Sequence, residues 1–164
     1  MTAPLPRFPL IALTLAGCVS SGVVAGFAPA PGGVVAIAIS PCIDRTGNKT
    51  RDLGAEATAD FTAALENSAA FHLDPASPYV LHCEVDNFLP GNAWERLLPG
   101  VGTADGAVAA MIIDERAEKI LVIVHGDTRI DAGAPYTLGA GRYILDAAVK
   151  NATGRLAAWT RGAP

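Results

Sequence analysis

The segment AVAAMIIDERAEKILVIVHGDTRI, residues 107–130, sets two apolar runs on either side of a charged turn, residues 115–119. Both runs are rich in Val and Ile, and a short polar break between two such runs predicts an antiparallel hairpin whose edge is guarded by charge. Any fold must therefore be built on a sheet. YVLHCEVDNF, residues 79–88, supplies another strand, because Tyr79, Leu81, Cys83 and Val85 alternate with His82, Glu84 and Asp86. That period of two buries one face and leaves the other wet. VVAIAIS, residues 34–40, is continuously apolar with β-branched residues, the pattern of a strand covered on both faces. Residues 71–73 form a further short strand candidate.

Between the first two strand patterns, Leu53, Ala57, Phe61, Ala64 and Leu65 recur at helical spacing while Glu56, Asp60 and Glu66 fall elsewhere. Thr50 or Asp52 stands where a short oxygen side chain caps exposed N–H groups. Near the other end, Ile144, Leu145, Ala148, Ala152, Leu156 and Trp159 mark a second helix, weakened by Gly154. Residues 89–106, with two Pro and four Gly, read as a long loop with room for a short helix over 94–97. The order predicts an α/β (α+β) domain in which two helices pack on a mixed sheet of four to five strands. A crossover through the first helix is right-handed if the strands it joins are parallel.

The chain is 51% hydrophobic with a net charge of −4, yet no run of 18 apolar residues is present, so no transmembrane helix is expected. The acidic balance and the lack of basic segments interleaved with aromatics argue against nucleic acid as a partner.

Residues 1–17 lie outside this pattern. Arg7 precedes the apolar run FPLIALTLAG, too short for a stable span and of the right length for a secretory signal. Leu15, Ala16 and Gly17 then stand before Cys18 and resemble the lipobox of bacterial lipoproteins. Small residues suit the scissile bond, and only a thiol can carry diacylglycerol as a thioether. Each buried CH₂ contributes about 0.8 kcal/mol, so two or three acyl chains suffice to hold a soluble domain on a bilayer. The rivals are an ordinary signal with a chance Cys, or a buried N-terminal strand. The division expected is a signal peptide over 1–17, a flexible tether over 18–33 rich in Gly and Pro, and one domain over 34–160. Without Arg7 the mature chain holds 11 basic against 16 acidic residues, which leaves membrane attachment to the lipid. Val19 follows the lipid-bearing Cys where enteric lipoproteins retained on the inner membrane carry Asp, so the resemblance implies the outer membrane.

Cys42 and Cys83 remain, in a compartment where disulfides persist. Two readings stay open: a bridge, or two separate thiols with one buried in the sheet. His72, His82 and His125 lie on or beside strands, and none falls in a metal motif. No G-x-S-x-G is present. Gly100, Gly102 and Gly106 depart from the dinucleotide fingerprint and precede a strand, so a tight turn into the hairpin is expected of them. No catalytic residue, metal or cofactor is assigned. Asp44, Arg45, Thr46, Gly47 and Asn48 read either as a hydrogen-bonded turn leading to a helix cap or as polar groups presented to a ligand.

The order of these motifs resembles a family of uncharacterised bacterial lipoproteins over about residues 34–156. Its anchors here are Asp44, Thr46, Gly47, Pro90, Gly91, Asn92, Arg96, Gly100, Gly102, Asp114 and Lys119. The opening half is more distantly similar to periplasmic domains of the curli-secretion channel subunit, the lipoprotein activators of peptidoglycan synthases and the N-terminal domain of the Tol-system propeller protein. The resemblance implies a palmitate-bearing envelope lipoprotein that works by protein contact. A membrane pore is disfavoured, because residues 107–114 lack the alternation of a membrane strand.

The expectation for function is therefore a non-enzymatic lipoprotein, anchored in the outer membrane by acylated Cys18, whose periplasmic domain contacts another envelope protein. Trp94, Arg96 and Leu97 are the candidate contact residues, since Trp and Arg dominate interface energetics. The rivals are a ligand binder or enzyme in which Asp44, Arg45 and Asn48 converge with His82 or Glu84, and a homo-oligomeric envelope or secretion component.

Overall fold

The computed structural model describes residues 23–91, 103–130 and 140–162. Among the described residues, seven strands and two helices run in the order β1 (Val23–Gly26), β2 (Val35–Ile39), β3 (Ile43–Asp44), α1 (Leu53–Glu66), β4 (Phe71–Leu73), β5 (Tyr79–Leu89), β6 (Ala104–Asp114), β7 (Lys119–Ile130), α2 (Ala140–Thr160). They form one mixed sheet in the order β1-β7-β6-β5-β2-β4, with β3 also paired to β5. The mixed α+β architecture with two helices is the one expected. The strand count is higher than four to five, because two pieces too short or too glycine-rich to show a period, β3 and β1, also join the sheet.

Local chemistry sets the elements. Asp52 caps α1, its carboxylate accepting from the Ala55 N–H at 2.9 Å, with Glu56 in the first turn. From there Leu53, Ala57, Phe61 and Leu65 form a fully buried stripe. In α2, Ile144, Leu145, Ala148, Ala152 and Leu156 are fully buried and Trp159 nearly so. The helix continues through Gly154, beside which there is open space. β2 runs parallel to both β4 and β5, while β5, β6 and β7 are antiparallel.

Both helices contribute to one core with the inward residues of the sheet, among them Val35, Ile37, Val85, Val108, Val122 and Val124. Two glycines let α2 approach closely. A Cβ at Gly126 would lie 2.8 Å from the Ala152 nitrogen, and one at Gly106 would collide with Ile144. Gly106 thus serves helix packing from within β6, which begins at Ala104, and not a turn into the hairpin.

Three further expectations change. The tether drawn over 18–33 contains β1, antiparallel to β7 with Val23 opposite Val124 and Gly26 opposite Val122. The Phe27 N–H donates to the Leu121 carbonyl at 2.9 Å, and the Trp159 indole donates to the Ala28 carbonyl at 3.1 Å. Small uncharged residues suit a sheet edge as well as a linker, which is why the segment looked unstructured. β2, read as covered on both faces, buries Val35 and Ile37 and leaves Ala36 and Ala38 partly exposed. Lastly, the β5 alternation shifts at a bulge between Val85 and Asn87, so that Phe88 turns inward where strict alternation would have put Asn87.

Beyond β1, side chains of α2 cover the β7 edge. Asn151 donates its amide to the Asp127 carbonyl at 2.9 Å, and the Arg155 guanidinium donates to the His125 carbonyl. Carbonyls that would otherwise invite another strand are satisfied within the chain.

Candidate functional site

The segment 44–52 spends its polar groups on its own backbone. Asp44 Oδ1 accepts from the Thr46 N–H at 2.8 Å and the Thr46 hydroxyl at 2.7 Å. Asn48 Oδ1 accepts from the Thr50 N–H and hydroxyl, both at 2.8 Å, and from the Arg51 N–H at 3.2 Å. These side chain to backbone turns lead straight to the Asp52 cap. Arg45 instead turns to the sheet and grips Glu84 with two bonds, Nε to Oε2 at 3.2 Å and Nη2 to Oε1 at 3.0 Å. The Arg45 hydrogen bond holds the Glu84 carboxyl below its ordinary range. Arg51 pairs with Glu56 and lies 4.8 Å from the Phe88 ring centroid. Of the groups the ligand reading needs, only Arg45 and Glu84 therefore meet, and they meet each other.

Cys42, just before β3, and Cys83, in β5, are joined as a disulfide with Cα atoms 4.6 Å apart, both residues being buried. This corner is tightly packed. The Cys42 N–H donates to the Thr58 hydroxyl at 2.8 Å, and a Cβ on Gly54 would lie 2.6 Å from the Cys42 carbonyl oxygen.

Alongside lies an arrangement that sequence reading missed, since its members are far apart in the chain. Ser40 Oγ is 3.1 Å from His82 Nδ1, and His82 Nε2 is 4.0 Å from Glu115 Oε1. The order Ser, His, acid invites comparison with a nucleophilic triad, but Ser40 donates its proton to the Leu81 carbonyl at 3.1 Å. The one hydroxyl proton is thus directed to a backbone carbonyl, and His82 and Glu115 stand beyond hydrogen-bond distance, so the geometry of a nucleophilic triad is not met.

A second pair, His125 Nδ1 and Asp86 Oδ2 at 4.0 Å, spans strand β6 above its alanines. Burial holds the Asp86 carboxyl above its ordinary range, against the opposing pull of His125.

These polar pairs flank the face of the sheet opposite the helices. Register places His82, Met111 and Ile123 in one row, Glu84, Ala109 and His125 in the next, and Ala38, Val80 and Ile113 in a third. The face is thus an apolar strip of small and flexible side chains bordered by carboxylates and imidazoles. None of the described helices covers it: α1 and α2 both pack on the other side, against the core residues.

Between α1 and α2 runs a groove with a cavity of about 430 Å³ lined by Asp60, Ala63, Ala64, Asn67, Ser68, Asp146, Lys150 and Thr153. Lys150 pairs with Asp146 at 2.8 Å. Burial, then the nearby Asp146 charge, push the Asp60 carboxyl up.

Among the described residues, no group of three His, Cys, Asp or Glu is placed to hold a metal ion, and no helix is long and apolar enough to cross a membrane. Cys18, Trp94, Arg96 and Leu97 lie outside the described residues, as do Asn92, Gly100 and Gly102.

No protein-family model matches the chain, and no curated protein matches it by sequence. Solved structures do share its fold. A Xanthomonas campestris protein of family DUF330 superposes with a TM-score of 0.54 at 13% identity, covering 81% of this chain and 89% of its own. The PelC dodecamer from Paraburkholderia phytofirmans gives 0.52 at 15% identity, covering 76% and 92%. A hypothetical protein from Chlamydia trachomatis gives 0.52 at 12% identity, covering 78% and 99%. The distant likeness expected from the order of motifs is a likeness of fold.

Proposed function

We propose that the chain is a lipoprotein held in the bacterial outer membrane by acylated Cys18, and that its periplasmic domain works by protein contact and not by catalysis. One observation carries the contact reading. The polar side chains nearest to forming a site are consumed inside the fold, whereas the face bearing Ala109, Met111, Ile113 and Ile123 has no cover from this chain's described helices. Apolar strips bordered by charge mark interaction surfaces more often than bare solvent-facing sheet. Trp94, Arg96 and Leu97 stay proposed as additional contacts.

Mild crosslinking in native membranes followed by co-purification tests this. Ala109→Glu places a further carboxylate in the middle of the strip, between Glu84 and His125 and away from the buried core, so the co-purifying protein should be lost while the melting curve changes little. Unchanged co-purification would remove the open face from the account. The anchor has its own assay: radiolabelled palmitate should enter the wild type and not Cys18→Ala.

A homo-oligomer is the second reading, favoured by the shared fold with PelC, which forms a dodecamer. Mass photometry of the domain from residue 19 onward, which keeps β1, decides it. A single monomer peak would exclude it.

A further inference from the structure

The polar groups around Asp44 and Ser40 find partners within the fold, whereas two in the groove between α1 and α2 do not. Thr58, Thr62 and Thr160 each donate the hydroxyl proton to a carbonyl three or four residues back in their own helix, at 2.8, 2.7 and 2.8 Å, the usual resort of a helical threonine. Thr153 departs from this. It is 6% exposed, and its hydroxyl has no partner among the described residues. Asp60, half-buried on α1, forms no hydrogen bond or close ion pair with any described residue. Both features cost stability, and costs of this kind gather at binding sites. Both residues line the same cavity of about 430 Å³, large enough for a small organic molecule.

The charges along the two helices order the groove. Glu56 feels the charge of Arg142, and Asp60 feels those of Asp146, Arg142 and Lys150, so α1 and α2 run side by side in the same sense with Asp60 near the level of Asp146. Asp146, Lys150 and Thr153 fall on one face of α2. From Asp146 to Thr153 is seven residues, about 10 Å of helix. The groove therefore has two carboxylates at one end, Ala63 and Ala64 beside its middle, and Thr153 toward the other end. Asp146 holds Lys150 at 2.8 Å. Asp60 holds no cation, and Arg142 acts on it only at a distance.

We infer that this groove binds a small alkylammonium compound whose far end carries an oxygen acceptor, with the ammonium on Asp60, the alkyl stem over Ala63 and Ala64, and the oxygen taking the proton of Thr153. An anion would meet Asp60 and Asp146 and is disfavoured. The groove lies on the helix side of the sheet, away from the open face, so its failure or success leaves the contact reading untouched.

Isothermal titration calorimetry of the full-length protein in detergent micelles, with 6-aminohexanamide as probe, tests this. The wild type should give saturable heat, and hexanamide, which lacks the ammonium, should give none. Asp60→Asn should weaken binding by about tenfold or more, because a charge-assisted bond is lost. Thr153→Val keeps the side-chain shape, removes the hydroxyl and should weaken binding several-fold. Neither variant should melt below the wild type, since each removes an uncompensated buried or half-buried group. No saturable heat from the wild type, or equal affinity in Asp60→Asn, would overturn the site. Unchanged affinity in Thr153→Val would overturn the two-ended recognition. A lowered melting temperature in either variant would assign that group to the fold and also count against its role here.

Discussion

The two faces of the sheet are built from the same strands and differ in almost every physical respect. On the helix side, β6 presents Gly106, Val108, Ala110 and Ile112, all buried, and α2 comes close enough that a Cβ at Gly106 or Gly126 would collide with it. One residue further along the strand in each case, the open side presents Ala107, Ala109, Met111 and Ile113, all partly exposed and bordered by His82, Glu84, Asp86 and His125. The covered face is a close-packed interior in which each methylene counts. The open face is covered by neither described helix, so substitutions there should cost little folding stability. The proposed contact surface and the packing that supports stability thus lie on opposite sides of one layer, and mutations should separate them.

The largest loss is expected on the covered side. Phe61→Ala removes a fully buried ring, and chemical denaturation should register a loss of about 3–5 kcal/mol. The disulfide follows. Replacing both Cys42 and Cys83 by Ala should lower stability by about 2–4 kcal/mol, since the bridge joins residues 41 apart, and the native protein should show no free thiol at either position under denaturing, non-reducing conditions.

How much of this was legible in the sequence follows from where each signal lies. The helices were readable because a helical period runs through each, and Leu53, Phe61, Ile144 and Leu156 fall on it; the hairpin was readable from two Val- and Ile-rich runs around a charged turn, and β5 from its alternation as far as Val85. β1 was not, since residues 23–26 are all small or apolar, and only their pairing with β7 makes them a strand. The β5 bulge was also hidden, because it is set by cross-strand register and not by residue type. Of the candidate site, the Asp44 to Asn48 turn was readable from Asx chemistry. The Ser40–His82–Glu115 and Asp86–His125 arrangements were not, because folding brings together residues 42 and 33 apart in the first case and 39 apart in the second.

Smaller effects sharpen the contrast. Asp52→Ala deletes the α1 cap and should cost about 1 kcal/mol by thermal or denaturant melting. Asp60 supplies a test of opposite sign. Its folded-state carboxyl is raised by burial and by Asp146, so the native state holds the proton more tightly than the unfolded chain, and stability falls as pH rises from the unfolded carboxyl range through the folded one. Asp60→Asn should therefore raise stability slightly near neutral pH, and the gain should disappear in acid, where both states of the wild type are protonated. A loss of stability near neutral pH would show that the groove between α1 and α2 needs the charge.

The most direct measurement concerns the open face itself. A photo-crosslinking amino acid placed at Met111, in the middle of that face, can be compared in the native envelope with one at Ala59, an exposed position on α1. The account predicts a discrete adduct from position 111 and none from position 59. An adduct from 59 alone, or silence at both, would contradict it.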